Sequence, residues 1–220
     1  MTEYRNPFLM IAVGAPGTGK STLAAELMQY SERTLVIPAN VADAAKAYPG
    51  IPSLAVKGIY EADELDPKGK ERLQIIAPEI TTFKGTRLLH VVEDDRRFSA
   101  VVHPFKGYRD GLLVLDDMKK YIPNKGDLPK RVVNYFSDRR HNCVDVYIAL
   151  HNFDDVARQW YGWGAELVIF RTDLPPGDAV KKKVRNFDQM LEVIERVNRI
   201  AQNGEPHSCE HFLPICADDE

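Results

Sequence analysis

The sequence predicts an α/β fold: a mainly parallel central sheet flanked by helices, with a β-hairpin at one edge. Three observations carry this expectation. First, the strand-like run Phe8-Leu9-Met10-Ile11-Ala12-Val13 leads straight into a glycine-rich turn, and helix formers follow from Thr22 to Met28 with apolar positions at 23, 24, 27 and 28. Second, three further apolar runs end in polar residues: Gly111–Leu115 before Asp116-Asp117, Val144–Leu150 before His151-Asn152, and Leu167–Phe170 before Arg171-Thr172. Continuous apolar strands of this kind are buried on both faces, and open α/β sheets keep ligands at the carboxyl ends of such strands. Third, strand and helix signals alternate along most of the chain.

The remaining elements follow in order. Thr34-Leu35-Val36-Ile37, ended by Pro38, reads as the second strand of a βαβ unit. From Asn40 to about Gly85 the signals are mixed, with helical turns expected at Ala42–Ala47 and from Lys68 to Leu73. Two β-rich runs, 87–92 and 98–102, flank the polar turn Glu93-Asp94-Asp95-Arg96-Arg97 and form the expected edge hairpin. From Asp178 to Gln202, apolar residues spaced by threes and fours (Val180, Val184, Phe187, Met190, Leu191, Ile194, Val197, Ile200) predict one amphipathic helix, closed by Asn203-Gly204. Residues 1–204 are expected to form a single domain, and 205–220 an acidic, loose tail.

Bulk properties narrow the function. At 220 residues and 44% hydrophobic content, the chain can bury one good-sized core. A net charge of −3 and a pI near 6.1 exclude coating of nucleic acid through global charge, so any DNA contact is local. Three cysteines, Cys143, Cys209 and Cys216, make no disulfide framework and suit a reducing compartment. The start shows no signal-peptide pattern, and no apolar run approaches the roughly 18 residues of a membrane span. A soluble, cytoplasmic protein is expected.

The chemistry sits first in Gly14-Ala15-Pro16-Gly17-Thr18-Gly19-Lys20-Ser21, which fits the P-loop template Gly-x-x-x-x-Gly-Lys-[Ser/Thr] at every fixed position. Its glycines let backbone N–H groups turn inward around a β-phosphate, Lys20 reaches the β/γ oxygens, and Ser21 ligates Mg²⁺. With Thr22 opening the helix, the phosphates would sit on a helix N-terminus. The expected ligand is therefore ATP with Mg²⁺. A strand ending in an acid completes such a site: Asp116 would hold the Mg²⁺ shell through water opposite Ser21, and Asp117 would polarise the attacking water.

Other residues leave alternatives open. Lys119 to Arg140 carries seven basic against two acidic side chains, either a solvated face or a DNA-tracking strip. Arg139 or Arg140, just before a core strand, is a candidate arginine finger for a neighbouring subunit's γ-phosphate. His151 reads as a γ-phosphate sensor or as a capping histidine. Trp160, Tyr161 and Trp163 form either a stacking platform for DNA bases or the packed face of a helix. His207, Cys209, His211 and Cys216 are zinc-type ligands at a spacing that matches no closed structural site.

Together these residues resemble the FtsK/HerA superfamily of P-loop ATPases. The branch is that of zonula occludens toxin-like phage assembly proteins and the genome-packaging ATPases of tailless viruses. Three segments carry the likeness: Gly14–Ser21; Gly111–Asp117 with Met118–Pro123; and Arg139-Arg140-His141-Asn142-Cys143-Val144-Asp145, leading to His151-Asn152. In that branch an Arg-His pair precedes a Val-Asp-led strand whose end bears a polar sensor, here at His151. Asp117 replaces the commoner glutamate, and the chain lacks the span of the filamentous-phage proteins; both favour the packaging branch. The resemblance implies a RecA/FtsK-like ATPase that translocates double-stranded DNA through the channel of a homo-oligomeric ring. It implies a hexamer, with capsid or portal-vertex proteins as partners and a location in the host cytoplasm or with the virion. A cellular or conjugative DNA pump, a small-molecule kinase and a nucleotide-gated assembly factor without turnover are the competing readings.

Overall fold

The computed structural model describes residues 6–38, 45–62, 71–89, 107–117, 128 and 130–217, with backbone alone over 57–62, 71–76 and 130–132. Its centre is a seven-stranded sheet built from β1 (Leu9–Val13), β2 (Arg33–Ile37), β5 (Gly85–Leu88), β6 (Gly111–Leu115), β7 (Val144–Leu150), β8 (Glu166–Phe170) and β9 (Cys209–Phe212). The order is β5-β2-β6-β7-β1-β8-β9, and every pairing is parallel except β8 with β9. A separate antiparallel pair joins β3 (Lys57–Ala62) to β4 (Glu71–Ile76).

Alternate residues of the strands feed two cores, as the period of two in a strand requires. Leu9, Ile11, Val13, Leu113, Ile148 and Leu167 point to one face. There they meet α2 (Lys130–Asp138), α3 (Arg158–Gly162), α4 (Asp178–Lys181) and α5 (Phe187–Gln202). Met10, Ala12, Leu112, Val114, Tyr147 and Val168 point to the other, under α1 (Lys20–Met28). Both faces are covered at the centre of the sheet, so β1, β6 and β7 are buried along their whole length.

The aromatic residues near 160 belong to the first core. Trp160 and Tyr161 are buried, and Phe136 packs edge-on against Trp160 and stacks on Trp163 at a centroid distance of 5.8 Å. Packing of α3 on the sheet accounts for them, and the buried rings of Trp160 and Tyr161 cannot stack on DNA bases.

Three expectations change, and one falls largely outside the described residues. Residues 71–73 belong to strand β4 and not to a helix, while 45–47 do make a helical turn. Only the beginning of the expected edge hairpin is described, as β5, which lies at the sheet edge parallel to β2; residues 90–106 are outside the described residues. The long amphipathic helix is two helices, α4 and α5, interrupted at 182–186.

The partner of that break is also the third correction, because the segment after Glu205 is not a loose tail. It forms β9 along β8 and then returns beside the interruption. Arg185 N–H donates to Ile215 O at 2.8 Å, Ala217 N–H donates to Lys183 O at 2.9 Å, and the Asn186 carboxamide oxygen accepts from Ile215 N–H at 2.8 Å. Tertiary partners thus take the Arg185 N–H and the Lys183 carbonyl, while Lys182 N–H still bonds Asp178 O and Asn186 O still accepts from Met190 N–H. Phe212 is buried against the core.

Phe212→Ala is therefore expected to lower stability by about 3 kcal/mol, as for other buried aromatic truncations. Urea denaturation measures it, and a shift within about 0.5 kcal/mol would restore the loose-tail reading.

Candidate functional site

The register of three neighbouring strands sets the site. β7 lies between β6 and β1, pairing Leu115 with Ile148 on one side and Val13 with Leu150 on the other. The residues after these strands, Asp116-Asp117, His151 and the Gly14–Ser21 loop, therefore leave the sheet side by side at its carboxyl edge.

The loop is held against the ends of β7 and β8. Gly14 N–H donates to Leu150 O at 3.2 Å, and Ala15 N–H donates to Arg171 O at 2.8 Å. A Cβ on Gly14 would come within 2.6 Å of Phe170 Cβ and 2.9 Å of Arg171 O, so no other residue fits there without displacing β8. Gly19 caps α1 with φ 105°, in the left-handed region that favours glycine. The Thr18 hydroxyl donates to Ala15 O at 2.8 Å inside the loop. Leu23 N–H bonds back to Gly19 O, so the N–H groups before it form the open N-terminus of α1. The buried Tyr147 hydroxyl donates to Lys20 O at 2.7 Å and anchors that first turn to β7. Pro16 and Gly17 are exposed at the tip, and Thr22 is exposed on the first turn.

Lys20 is folded into this cradle. Its ammonium donates to Gly14 O at 2.6 Å and to Ala15 O at 2.8 Å. Burial lowers its pKa to about 8, against the opposing pull of Asp116 and Asp117. Such an ammonium, hydrogen-bonded to two neutral carbonyls, is suited to an anion that would bring it negative charge.

Asp116 faces the loop. The Ser21 hydroxyl lies 3.4 Å from Asp116 Oδ2, and the Tyr48 hydroxyl donates to the same oxygen at 2.9 Å. Burial raises the Asp116 pKa; the Tyr48 hydrogen bond works against that shift. A hydroxyl and a carboxylate facing each other beside a phosphate cradle fit Mg²⁺, which takes one or two protein oxygens and completes its shell with phosphates and water. Among the described residues no three His, Cys, Asp or Glu side chains gather as metal ligands, and a Mg²⁺ site of this kind does not need them. Asp117 has φ 52°, a left-handed backbone costing about 1 kcal/mol in a non-glycine residue. Its Oδ1 lies 3.7 Å from His151 Nε2, and both side chains are about a third exposed at the mouth of the site.

The structure thus brings together Gly14 to Thr22, Asp116, Asp117 and His151. It does not bring the two arginines to them. Arg139 and Arg140 precede β7, at the opposite end of a strand that spans about 20 Å. Arg139 is only 4% exposed and donates to Phe136 O at 3.2 Å and Trp163 O at 3.3 Å, fastening α2 to the end of α3. Arg140 is exposed. Of the pair, Arg140 alone presents its side chain to solvent.

Sequence reasoning missed two neighbours of the site. Tyr48 belongs to no motif and follows a poorly patterned segment. His207 lies against the loop, 3.5 Å from where a Gly19 Cβ would stand. Its zinc-type companions are used elsewhere: Cys209 and His211 lie in β9, His211 paired with Glu166, and Cys216 pairs with Val184. Residues 118–127 of the basic stretch lie outside the described residues.

No family model matches this sequence, and no curated protein matches it. Solved structures do. The genome packaging NTPase B204 from Sulfolobus turreted icosahedral virus 2, in complex with sulfate, superposes with a TM-score of 0.59 at 14% identity over 96% of this chain and 98% of that one. The fold is that of a P-loop NTPase. The same NTPase in complex with ATP-gammaS gives a TM-score of 0.55 at 12% identity, covering 96% of this chain and 99% of that one. B204, the DNA-packaging ATPase from Sulfolobus turreted icosahedral virus, gives 0.53 at 13% identity, covering 96% and 100%. Among the described residues no helix is long and apolar enough to cross a membrane.

The inward turn of Arg139 has a measurable consequence. Arg139→Ala is expected to lower stability by about 1–3 kcal/mol through lost buried hydrogen bonds, and Arg140→Ala to leave it within about 0.5 kcal/mol. Chemical denaturation of the two variants checks this; equal effects would contradict it.

Proposed function

We propose that this chain is an ATP-hydrolysing NTPase that packages double-stranded DNA into a viral particle, working as a homo-oligomeric ring with DNA in its channel. The observation that carries the reading is the convergence of Lys20, Ser21, Asp116, Asp117 and His151 at one sheet edge. The fold shared with a packaging NTPase solved with ATP-gammaS and AMPPCP supports the nucleotide. A hexamer, and docking on capsid or portal-vertex proteins, follow from the resemblance to the FtsK/HerA superfamily.

In this reading the loop N–H groups and the start of α1 bind the phosphates, and Lys20 exchanges its two carbonyl partners for β/γ oxygens. Ser21 and Asp116 would hold Mg²⁺, which when bound neutralises phosphate charge and orients the chain of phosphates. Asp117 accepts a hydrogen bond from the attacking water and holds it in line with the γ-phosphorus as the bond to the β–γ bridging oxygen breaks. His151, next to Asp117, senses whether the γ-phosphate is present. Arg140, far from its own site, acts on the γ-phosphate of the neighbouring subunit, where its charge stabilises the phosphoryl group in transfer.

ATP hydrolysis measured with and without double-stranded DNA tests this. DNA is expected to stimulate the wild type, while Lys20→Ala and Asp117→Asn each lose about 100-fold or more of the rate. Arg140→Ala subunits are expected to regain turnover when mixed with Lys20→Ala subunits, whose intact Arg140 serves the neighbour. Hydrolysis indifferent to DNA but dependent on a small acceptor would make the chain a kinase, and binding without turnover would make it an assembly factor.

A further inference from the structure

Asp116 is held by a residue that no motif contains. We propose that Tyr48 is the positioning residue of the metal site. Its hydroxyl fixes the Asp116 carboxylate in the orientation in which that carboxylate and Ser21 share a divalent cation. The inference rests on the nucleotide-binding reading above and extends it to a side chain from a different part of the chain.

Three segments meet at one oxygen. Ser21 comes from the first turn of α1, Asp116 follows β6, and Tyr48 lies between β2 and β5; both hydroxyls address Asp116 Oδ2, Tyr48 at 2.9 Å and Ser21 at 3.4 Å. The longer contact is the weaker one, and a cation taken by Ser21 and Asp116 together would replace it. Tyr48 would then be left to hold the carboxylate. Partners of this kind, which touch a ligand and not the metal, set the orientation of ligating carboxylates.

Tyr48 is built to hold its position. It is 3% exposed, packed in the core that contains Ala24, Val36, Leu88, Val114 and Tyr147. Its segment is tied to the end of β5, with Leu54 N–H donating to Leu88 O at 2.8 Å and Leu88 N–H to Pro52 O at 2.9 Å. A buried tyrosine needs only some acceptor, and backbone carbonyls serve elsewhere in this fold. The Tyr147 hydroxyl donates to Lys20 O, and the Tyr108 hydroxyl lies 3.0 Å from Arg33 O and 2.9 Å from Leu112 O. Tyr48 gives its hydroxyl to the acid instead.

Tyr48→Phe removes the hydroxyl and keeps the ring. The test combines the affinity of a fluorescent ATP analogue in EDTA, the affinity for Mn²⁺ of the complex with ATP-gammaS read by electron paramagnetic resonance, and the urea midpoint. The variant is expected to match the wild type in EDTA and in urea, and to lose about tenfold in Mn²⁺ affinity. In an Asp116→Asn background the same exchange should change Mn²⁺ affinity no further. Mn²⁺ affinity within twofold of the wild type would overturn the proposal. So would equal losses in all three measurements, which mark a packing role, or a full loss persisting in the Asp116→Asn background. Lys20→Ala separates the two readings: it is expected to lose the nucleotide with and without Mn²⁺. A wild type that binds no nucleotide would sink the functional reading and this one together.

Discussion

The pairing of β7 between β6 and β1 is the constraint on which the rest of the site depends. A strand has no freedom to slide by one residue when both faces are buried, because the slip would exchange the two cores. Here Ile11, Ile148 and Leu113 serve one core while Ala12, Ala149 and Val114 serve the other. The register is therefore fixed by hydrophobic burial along whole strands, and the level at which each chain leaves the sheet is fixed with it. Polar chemistry at the carboxyl edge is positioned by apolar packing below it.

Charge at that edge is arranged in anticipation of a ligand. Lys20 is buried against two carbonyls, Asp116 is buried against two hydroxyls, and neither arrangement neutralises the group it holds. Burying such groups costs free energy, which the well-packed sheet beneath can sustain. The opposite edge has no such cluster among the described residues placed there: Arg139 is consumed in joining α2 to α3, and Arg140 faces outward. One edge thus gathers groups suited to an anion, and the other presents the exposed cation of Arg140.

Much of this is legible in the sequence, and the reasons differ by residue. The P-loop and Asp116-Asp117 stand out because a fully apolar strand that runs straight into polar residues marks the carboxyl edge of a covered parallel sheet. Arg139 and Arg140 cannot be told apart in sequence, since burial at the end of α2 separates them and no local pattern encodes it. Strand β9 escapes notice because Cys-Glu-His-Phe is an edge strand with one buried side chain. The break between α4 and α5 escapes for a related reason: its helical spacing is intact, and backbone partners from more than 25 residues later override it. Tyr48 is the extreme case, joined to Asp116 by an interaction that spans 68 residues.

The central claim is that the ends of β1, β6 and β7 form one nucleotide centre, and amide hydrogen exchange with and without Mg²⁺ and ATP-gammaS tests it most directly. Exchange is predicted to slow together in three stretches: the Gly14–Leu23 loop and helix start, the peptide ending at Asp117, and the peptide around His151 and Asn152. Slowing confined to the loop, or located away from these strand ends, would contradict it.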